Sequence, residues 1–185
     1  MVCWKCRESV QGPVCVSCRS IQPLLAGQDH FSLLSQPRSY FLETGDIERS
    51  YRAVSRKVHP DRFAARSAVE RRMSLQWTAS VNEARRVLMD PLRRALFLAT
   101  GRSEPEETGG PVMSPEFLEE VFELQMSREE DPEGVAAKTS EALRERMQRL
   151  TSLFSAWEGG NGGIEGAEAV LAEVRYLERI TRSAN

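Results

Sequence analysis

The chain is 185 residues long with 41% hydrophobic and 28% charged residues, a globular composition rather than a disordered one. Its 25 basic and 27 acidic side chains leave a formal charge of −2, so it lacks the bulk positive field that draws a domain to nucleic acid. Only His30 and His59 are histidines, which excludes a three-histidine metal centre, and no run of 18 apolar residues offers a membrane span.

The first residues, Met1-Val2-Cys3-Trp4-Lys5-Cys6, have no basic-then-apolar leader and no Arg/Ser-rich transit pattern, so the expected compartment is the cytoplasm. Cys3, Cys6, Cys15 and Cys18 form two C-x2-C turns eight residues apart, and no cysteine follows. Each turn aims two thiolates at one point, and two turns complete a tetrahedral four-sulfur site for zinc. Gly12 and Pro13 supply the reversal between them. With four protein ligands there is no open position, so the metal is expected to staple a knuckle over residues 1–22. Two disulfides, or redox dithiols, are the plain alternative and fit a reducing compartment poorly. Four-cysteine iron–sulfur ligation stays open, although the usual ferredoxin spacings differ. Lys5, Arg7 and Arg19 give the knuckle only a thin positive charge.

Asp29 reads as the N-cap of a short helix through Leu34, stopped by Pro37. A second helix is expected from Gly45-Asp46 with Asp46 as N-cap. Ile47, Tyr51, Val54 and Val58 make its apolar face, while Arg49, Arg52, Arg56 and Lys57 make its outer surface basic. The plain reading of such a charge run is a solvated face. His59-Pro60-Asp61 ends the helix, because proline disfavours α geometry in the residue before it. A long third helix follows on Val69, Met73, Trp77 or Ala79, Val81, Ala84 and Leu88. Asp90-Pro91 breaks it, and a further helix with Leu92, Leu96 and Leu98 runs to Gly101.

Residues 102–113, with Pro105, Gly109, Gly110 and Pro111, read as a linker or crossing loop. Ser114-Pro115-Glu116 and Asp131-Pro132-Glu133 are two helix starts, and a third helix is expected from about Ile164 to Arg182 after a glycine-rich turn. The second of these carries Leu143, Met147, Leu150, Phe154 and Trp157 at steps of four and three, which packs as an antiparallel bundle. The first has two apolar stripes. At about 100° per residue, Phe117, Val121 and Leu124 form one; Leu118, Phe122 and Met126 form a second. Either the helix is buried on two sides, or the second stripe is an exposed docking surface edged by Glu119, Glu123 and Glu130.

A basic second helix, His59-Pro60-Asp61 at its end and an antiparallel third helix carrying Asn82-Glu83-Ala84 resemble the J-domain of DnaJ-type co-chaperones. Arg94-Ala95-Leu96-Phe97-Leu98, Phe117-Leu118-Glu119-Glu120 and Val174-Arg175-Tyr176-Leu177 resemble the HscB family, the J-type co-chaperones of iron–sulfur cluster assembly. The four-cysteine start with Cys-Trp-Lys-Cys is similar to the longer, eukaryotic-type members and some bacterial relatives. The resemblance covers nearly the whole chain. It implies an all-α protein: a knuckle at 1–22, a J-domain at 29–101, a linker at 102–113 and a three-helix scaffold-binding domain at 114–183. It implies that His59, Pro60 and Asp61, with Arg49, Arg52, Arg56 and Lys57, dock on a DnaK- or HscA-class chaperone and stimulate its ATPase. It further implies that Leu118, Phe122, Glu123, Glu130 and Tyr176 bind an IscU-type scaffold. Glu119 and Met126 depart from the better-known bacterial pattern, which has an apolar residue and an acid there.

The expected function is therefore a binding adaptor, not an enzyme: there is no phosphate-binding glycine loop and no nucleophile–base pair. A general J-protein for unfolded clients and a zinc-knuckle nucleic-acid protein are the alternatives. The near-neutral charge and scarce aromatics among the basic residues speak against nucleic acid. Nothing suggests a membrane partner, and weak self-association stays open.

Overall fold

In a computed structural model, residues 1–106 and 111–182 are described; Gly109 and Gly110 of the expected linker, and residue 183, lie outside them. The chain divides into two compact units, Met1–Arg94 and Ala95–Asn185. Among the described residues the regular structure is helical apart from two isolated β-bridges.

The first unit opens with the knuckle, whose two halves repeat each other at an offset of twelve residues. The bridge Val2–Ser9 recurs as Val14–Ile21. Cys3 N donates to Glu8 O at 2.8 Å, and Cys15 N to Ser20 O at 2.9 Å. Arg7 N donates to Cys3 O and Arg19 N to Cys15 O. Both arginines turn the chain with positive φ, 68° and 57°. Helix α1 (His30–Leu33) is capped by Asp29, whose Oδ1 accepts from Ser32 N at 2.9 Å, as expected.

Helix α2 (Thr44–Val58) starts earlier than the sequence suggested. Its N-cap is Glu43, with no side-chain cap bond, and Asp46 sits inside the first turn. An acid there still meets the positive end of the helix, which explains why it reads as a start signal. The face Ile47–Tyr51–Val54–Val58 points inward, with Ile47 and Val58 buried and Tyr51 and Val54 half-buried. A 3-10 turn, Pro60–Phe63, leads to α3 (Ala68–Met89). Ser67 and Glu70 close a reciprocal capping box at its start. Both α1 and α2 pack on α3, whose buried residues include Trp77, Val81, Ala84, Val87 and Leu88. Val69 and Ala79 do not join that face: both are exposed, and Ser74 takes the inward position instead.

Helix α4 (Pro91–Thr100) begins in the first unit. There the buried Arg94 donates through Nη1 to Tyr40 O at 2.7 Å and Leu42 O at 3.3 Å.

The second unit carries α5 (Pro115–Met126), α6 (Pro132–Glu158) and α7 (Ala167–Arg182). Ser114 Oγ accepts from Phe117 N, and Asp131 Oδ1 from Gly134 N, so both expected caps form, each with proline in the first turn. α6 packs against both α5 and α7. Phe117, Val121, Leu124, Val135, Ala142, Leu177 and Ile180 form one core cluster. On α6 the buried line is Val135, Thr139, Ala142, Leu150 and Phe154; Leu143, Met147 and Trp157 are half-buried at its margin. The stripe rotates along a helix this long, because 3.6 residues per turn drifts against a steady four-three step.

Candidate functional site

Three groups of predicted residues can be located. The first is the sulfur cluster. The Cys3, Cys6, Cys15 and Cys18 sulfurs all lie within 4.8 Å of one another. Cys3 and Cys18 Sγ are 3.6 Å apart, and Cys6 and Cys15 Sγ 3.7 Å. A tetrahedron with metal–sulfur bonds of about 2.3 Å has edges of about 3.8 Å, so the donor set fits such an ion. All four cysteines are free thiols, which does not match the disulfide alternative. Burial opposes ionisation of Cys3, but the amides of Cys6 and Lys5 and the thiols of Cys18 and Cys6 outweigh it and bring the Cys3 thiol down to about 6. Ser20, through hydroxyl and amide, lowers Cys18. Cys6 keeps a favourable Glu8 amide, yet burial and the three neighbouring thiols push it up to about 12. A cation at the centre is what would relieve that repulsion.

The knuckle is seated on α3. Trp77 Nε1 donates to Gln22 O at 2.7 Å, from a side chain only 4% exposed. The buried Gln22 amide in turn donates to Cys3 Sγ at 3.3 Å and Ser20 O at 2.8 Å. Trp77 could be read from the sequence as a core residue, but not as a clamp, because its partner is a backbone carbonyl 55 residues away.

The second group is the tripeptide. Val58, fully buried, and Phe63, nearly so, anchor it on both sides. Ser74 Oγ donates to Val58 O at 2.6 Å and fixes the end of α2 to α3. Between the anchors His59 and Asp61 are exposed. His59 Nδ1 accepts from Asp61 N at 3.3 Å, and Asp61 Oδ2 lies 3.5 Å from the same nitrogen. Arg49, Arg52, Arg56 and Lys57 are all exposed on the same helix. Arg49 pairs with Asp46 and Arg52 with Glu48. Glu48 also accepts from Arg85 at 2.8 Å, and Arg85 first, then Arg52, hold its carboxyl below the usual carboxylate range. Arg56 donates to Arg52 O, which leaves its charge outward.

The third group lies on α5. Phe117, Val121 and Leu124 are buried, whereas Leu118, Phe122 and Met126 are 53%, 62% and 65% exposed. The two stripes thus have different fates. Phe122, Glu123 and Met126 border a groove of about 400 Å³ that continues to Val135 and Lys138 of α6. Glu119 and Glu130 are exposed but do not line it. Tyr176 of α7 is half-buried instead of standing free. Its ring meets the Phe117 edge at 6.0 Å, its hydroxyl accepts from Gln125 at 3.4 Å, and the Arg179 guanidinium covers it at 5.0 Å. Arg146 was not anticipated. It reaches from α6 to Glu120 of α5 and Glu173 of α7, and lies 5.6 Å over the Phe117 ring.

No family model matches the chain. The co-chaperone protein HscB homolog of Bordetella pertussis is 33% identical over 162 residues, covering 85% of this chain and 95% of that protein. The chain belongs to the HscB co-chaperone family. The HscB homolog of Burkholderia multivorans is 32% identical, with 82% and 89% of the two chains covered. The crystal structure of human co-chaperone protein HscB matches with a TM-score of 0.79 and 28% identity, over 100% of this chain and 96% of that one. HscB from Vibrio cholerae gives 0.67 and 25%, over 85% and 95%. The four cysteines at the N-terminus lie close enough together to bind a metal ion. Among the described residues no helix is long and apolar enough to cross a membrane.

Proposed function

We propose that this HscB-family chain is a non-enzymatic adaptor that brings an IscU-type iron–sulfur scaffold to a DnaK- or HscA-class chaperone in the cytoplasm and triggers ATP hydrolysis there. The observation that carries the reading is the tripeptide: His59 and Asp61 exposed, yet pinned between the buried Val58 and Phe63. A rigid exposed donor–acceptor pair beside a basic helix suits a docking contact, where the arginines speed encounter and the tripeptide fixes register. Arg49, Arg52, Arg56 and Lys57 meet an acidic chaperone surface. Leu118 and Phe122, edged by Glu123 and Glu130, take the scaffold, and Tyr176 supports the patch from α7. In this reading the knuckle is residues 1–22, the J-domain 29–101, the linker 102–113 and the scaffold-binding domain 114–183. Zinc is the resident ion: it is held by Cys3, Cys6, Cys15 and Cys18 and serves folding alone, because four protein sulfurs leave no position for a water.

The test is single-turnover ATP hydrolysis by purified DnaK- and HscA-class chaperones, with and without purified scaffold. The wild type stimulates, and His59→Gln does not. Full stimulation by His59→Gln overturns the reading. Stimulation that is indifferent to scaffold but enhanced by an unfolded client would instead make the chain a general J-protein.

A further inference from the structure

A groove of about 420 Å³ runs between the second loop of the knuckle and the segment that follows the tripeptide. Arg19 enters it from the knuckle; Lys57, Arg62 and Arg66 enter from the opposite side. All four are exposed, no carboxylate lines the groove, and none of the four takes part in an ion pair among the described residues. Arg49 and Arg52, farther up α2, are by contrast already answered by acids. The walls between the cations are apolar. Val14 is half-buried, Phe63 forms a buried floor, and Val16 stands 84% exposed at the mouth. A lone exposed valine means little; one set among four cations that no carboxylate neutralises, of which Arg62 donates only to the neutral Arg56 O at 3.3 Å, describes a ligand.

We propose that this groove receives an extended acidic segment of the same ATPase chaperone, with one apolar side chain lodged against Val14, Val16 and Phe63. The proposal rests on the chaperone reading above. Charge complementarity selects an acidic occupant. The apolar walls, with no exposed aromatic ring for base stacking, favour a peptide over single-stranded nucleic acid. Continuity selects the chaperone: Lys57 lies two residues before His59 and Arg62 directly follows Asp61, so whatever docks on the tripeptide is already at the groove. The knuckle then forms the second wall of the docking surface.

The twelve-residue repeat supplies a matched control. Arg7 and Arg19 occupy equivalent left-handed positions, but only Arg19 lines the groove. Full-length Arg19→Glu and Arg7→Glu therefore carry the same charge change and the same backbone strain. Two readouts are taken: the concentration for half-maximal ATPase stimulation, and anisotropy of a fluorescein-labelled ten-residue Asp/Glu peptide with one central Leu. Arg19→Glu and Val16→Asp are expected to raise the half-maximal concentration at least fivefold with the maximal rate unchanged, and to weaken the peptide at least fivefold. Arg7→Glu stays within twofold in both. Equal effects of Arg19→Glu and Arg7→Glu in both readouts overturn the groove. An absence of stimulation by the wild type overturns the chaperone as occupant; the peptide arm alone then decides whether an acidic ligand belongs there. Tighter binding of an oligothymidylate than of the peptide, lost in Arg19→Glu, overturns the acidic occupant.

Discussion

Arg146 shows how much one side chain can hold in place. Its guanidinium serves Glu120 and Glu173 and covers Phe117, and both it and Glu173 are largely withdrawn from water. Removing it strands a carboxylate in a poorly hydrated place, which costs about 3 kcal/mol when a buried pair is broken on one side. Arg146→Ala is expected to lower unfolding free energy by about that much, and adding Glu173→Ala should recover part of it; strict additivity in chemical denaturation would count against the coupling. On α5 neighbouring residues should behave in opposite ways. Phe117→Ala should destabilise by about 3–5 kcal/mol as a core truncation. Leu118→Ala should stay within about 0.5 kcal/mol because it is exposed. The two stripes were legible because their 100° spacing separates them without any knowledge of the neighbours. Arg146 was not, because nothing in a run of charges tells which one will be covered by two other helices.

The knuckle is the element whose stability depends on chemistry more than on packing. Hydrogen bonds lower the Cys3 and Cys18 thiols, while burial and its neighbours raise Cys6; binding a metal through thiolates therefore displaces protons. The sign follows: as pH falls the thiolates are protonated, the site loses its ion, and the folding energy that the ion supplies goes with it. Metal content by mass spectrometry should fall on acidification, and loading of metal-free protein should release protons into a weakly buffered solution. Insensitivity to pH would point away from thiolate ligation. The four cysteines were readable as one site from spacing alone. Boundaries were less so: Asp46 marked the first turn of α2, not its cap, since an acid is favourable in either place. The Ser67–Glu70 box at α3 has a plain Ser-x-x-Glu signature that apolar periodicity passes over, and that is why Val69 was assigned inward when it faces solvent.

For the molecule as a whole, the tripeptide belongs to one compact unit and the exposed α5 stripe to the other. Separate lesions should therefore separate the two proposed binding functions. Leu118→Ala and Phe122→Ala should each weaken scaffold binding by about 1–3 kcal/mol, as desolvated anchors do, and leave scaffold-free ATPase stimulation intact. His59→Gln should do the reverse, with scaffold affinity measured by calorimetry unchanged. Loss of both functions in any one of these variants would contradict that division. Architecture was open to sequence reading because helix periods, caps and breaks are local. The seating of the knuckle was not: it depends on an indole meeting the Gln22 carbonyl, and a carbonyl carries no residue-type signal. That same hydrogen bond gives the protein an optical reporter. A tryptophan almost sealed from water emits towards the blue, and the Trp77 indole N–H is held by the Gln22 carbonyl at the end of the knuckle. With Trp4 and Trp157 replaced by phenylalanine, the emission of Trp77 should move to the red when a chelator strips the four-sulfur site, and return when zinc, the proposed ion, is added back. The state of the N-terminal segment could then be followed in a cuvette, in real time, during chaperone or scaffold binding.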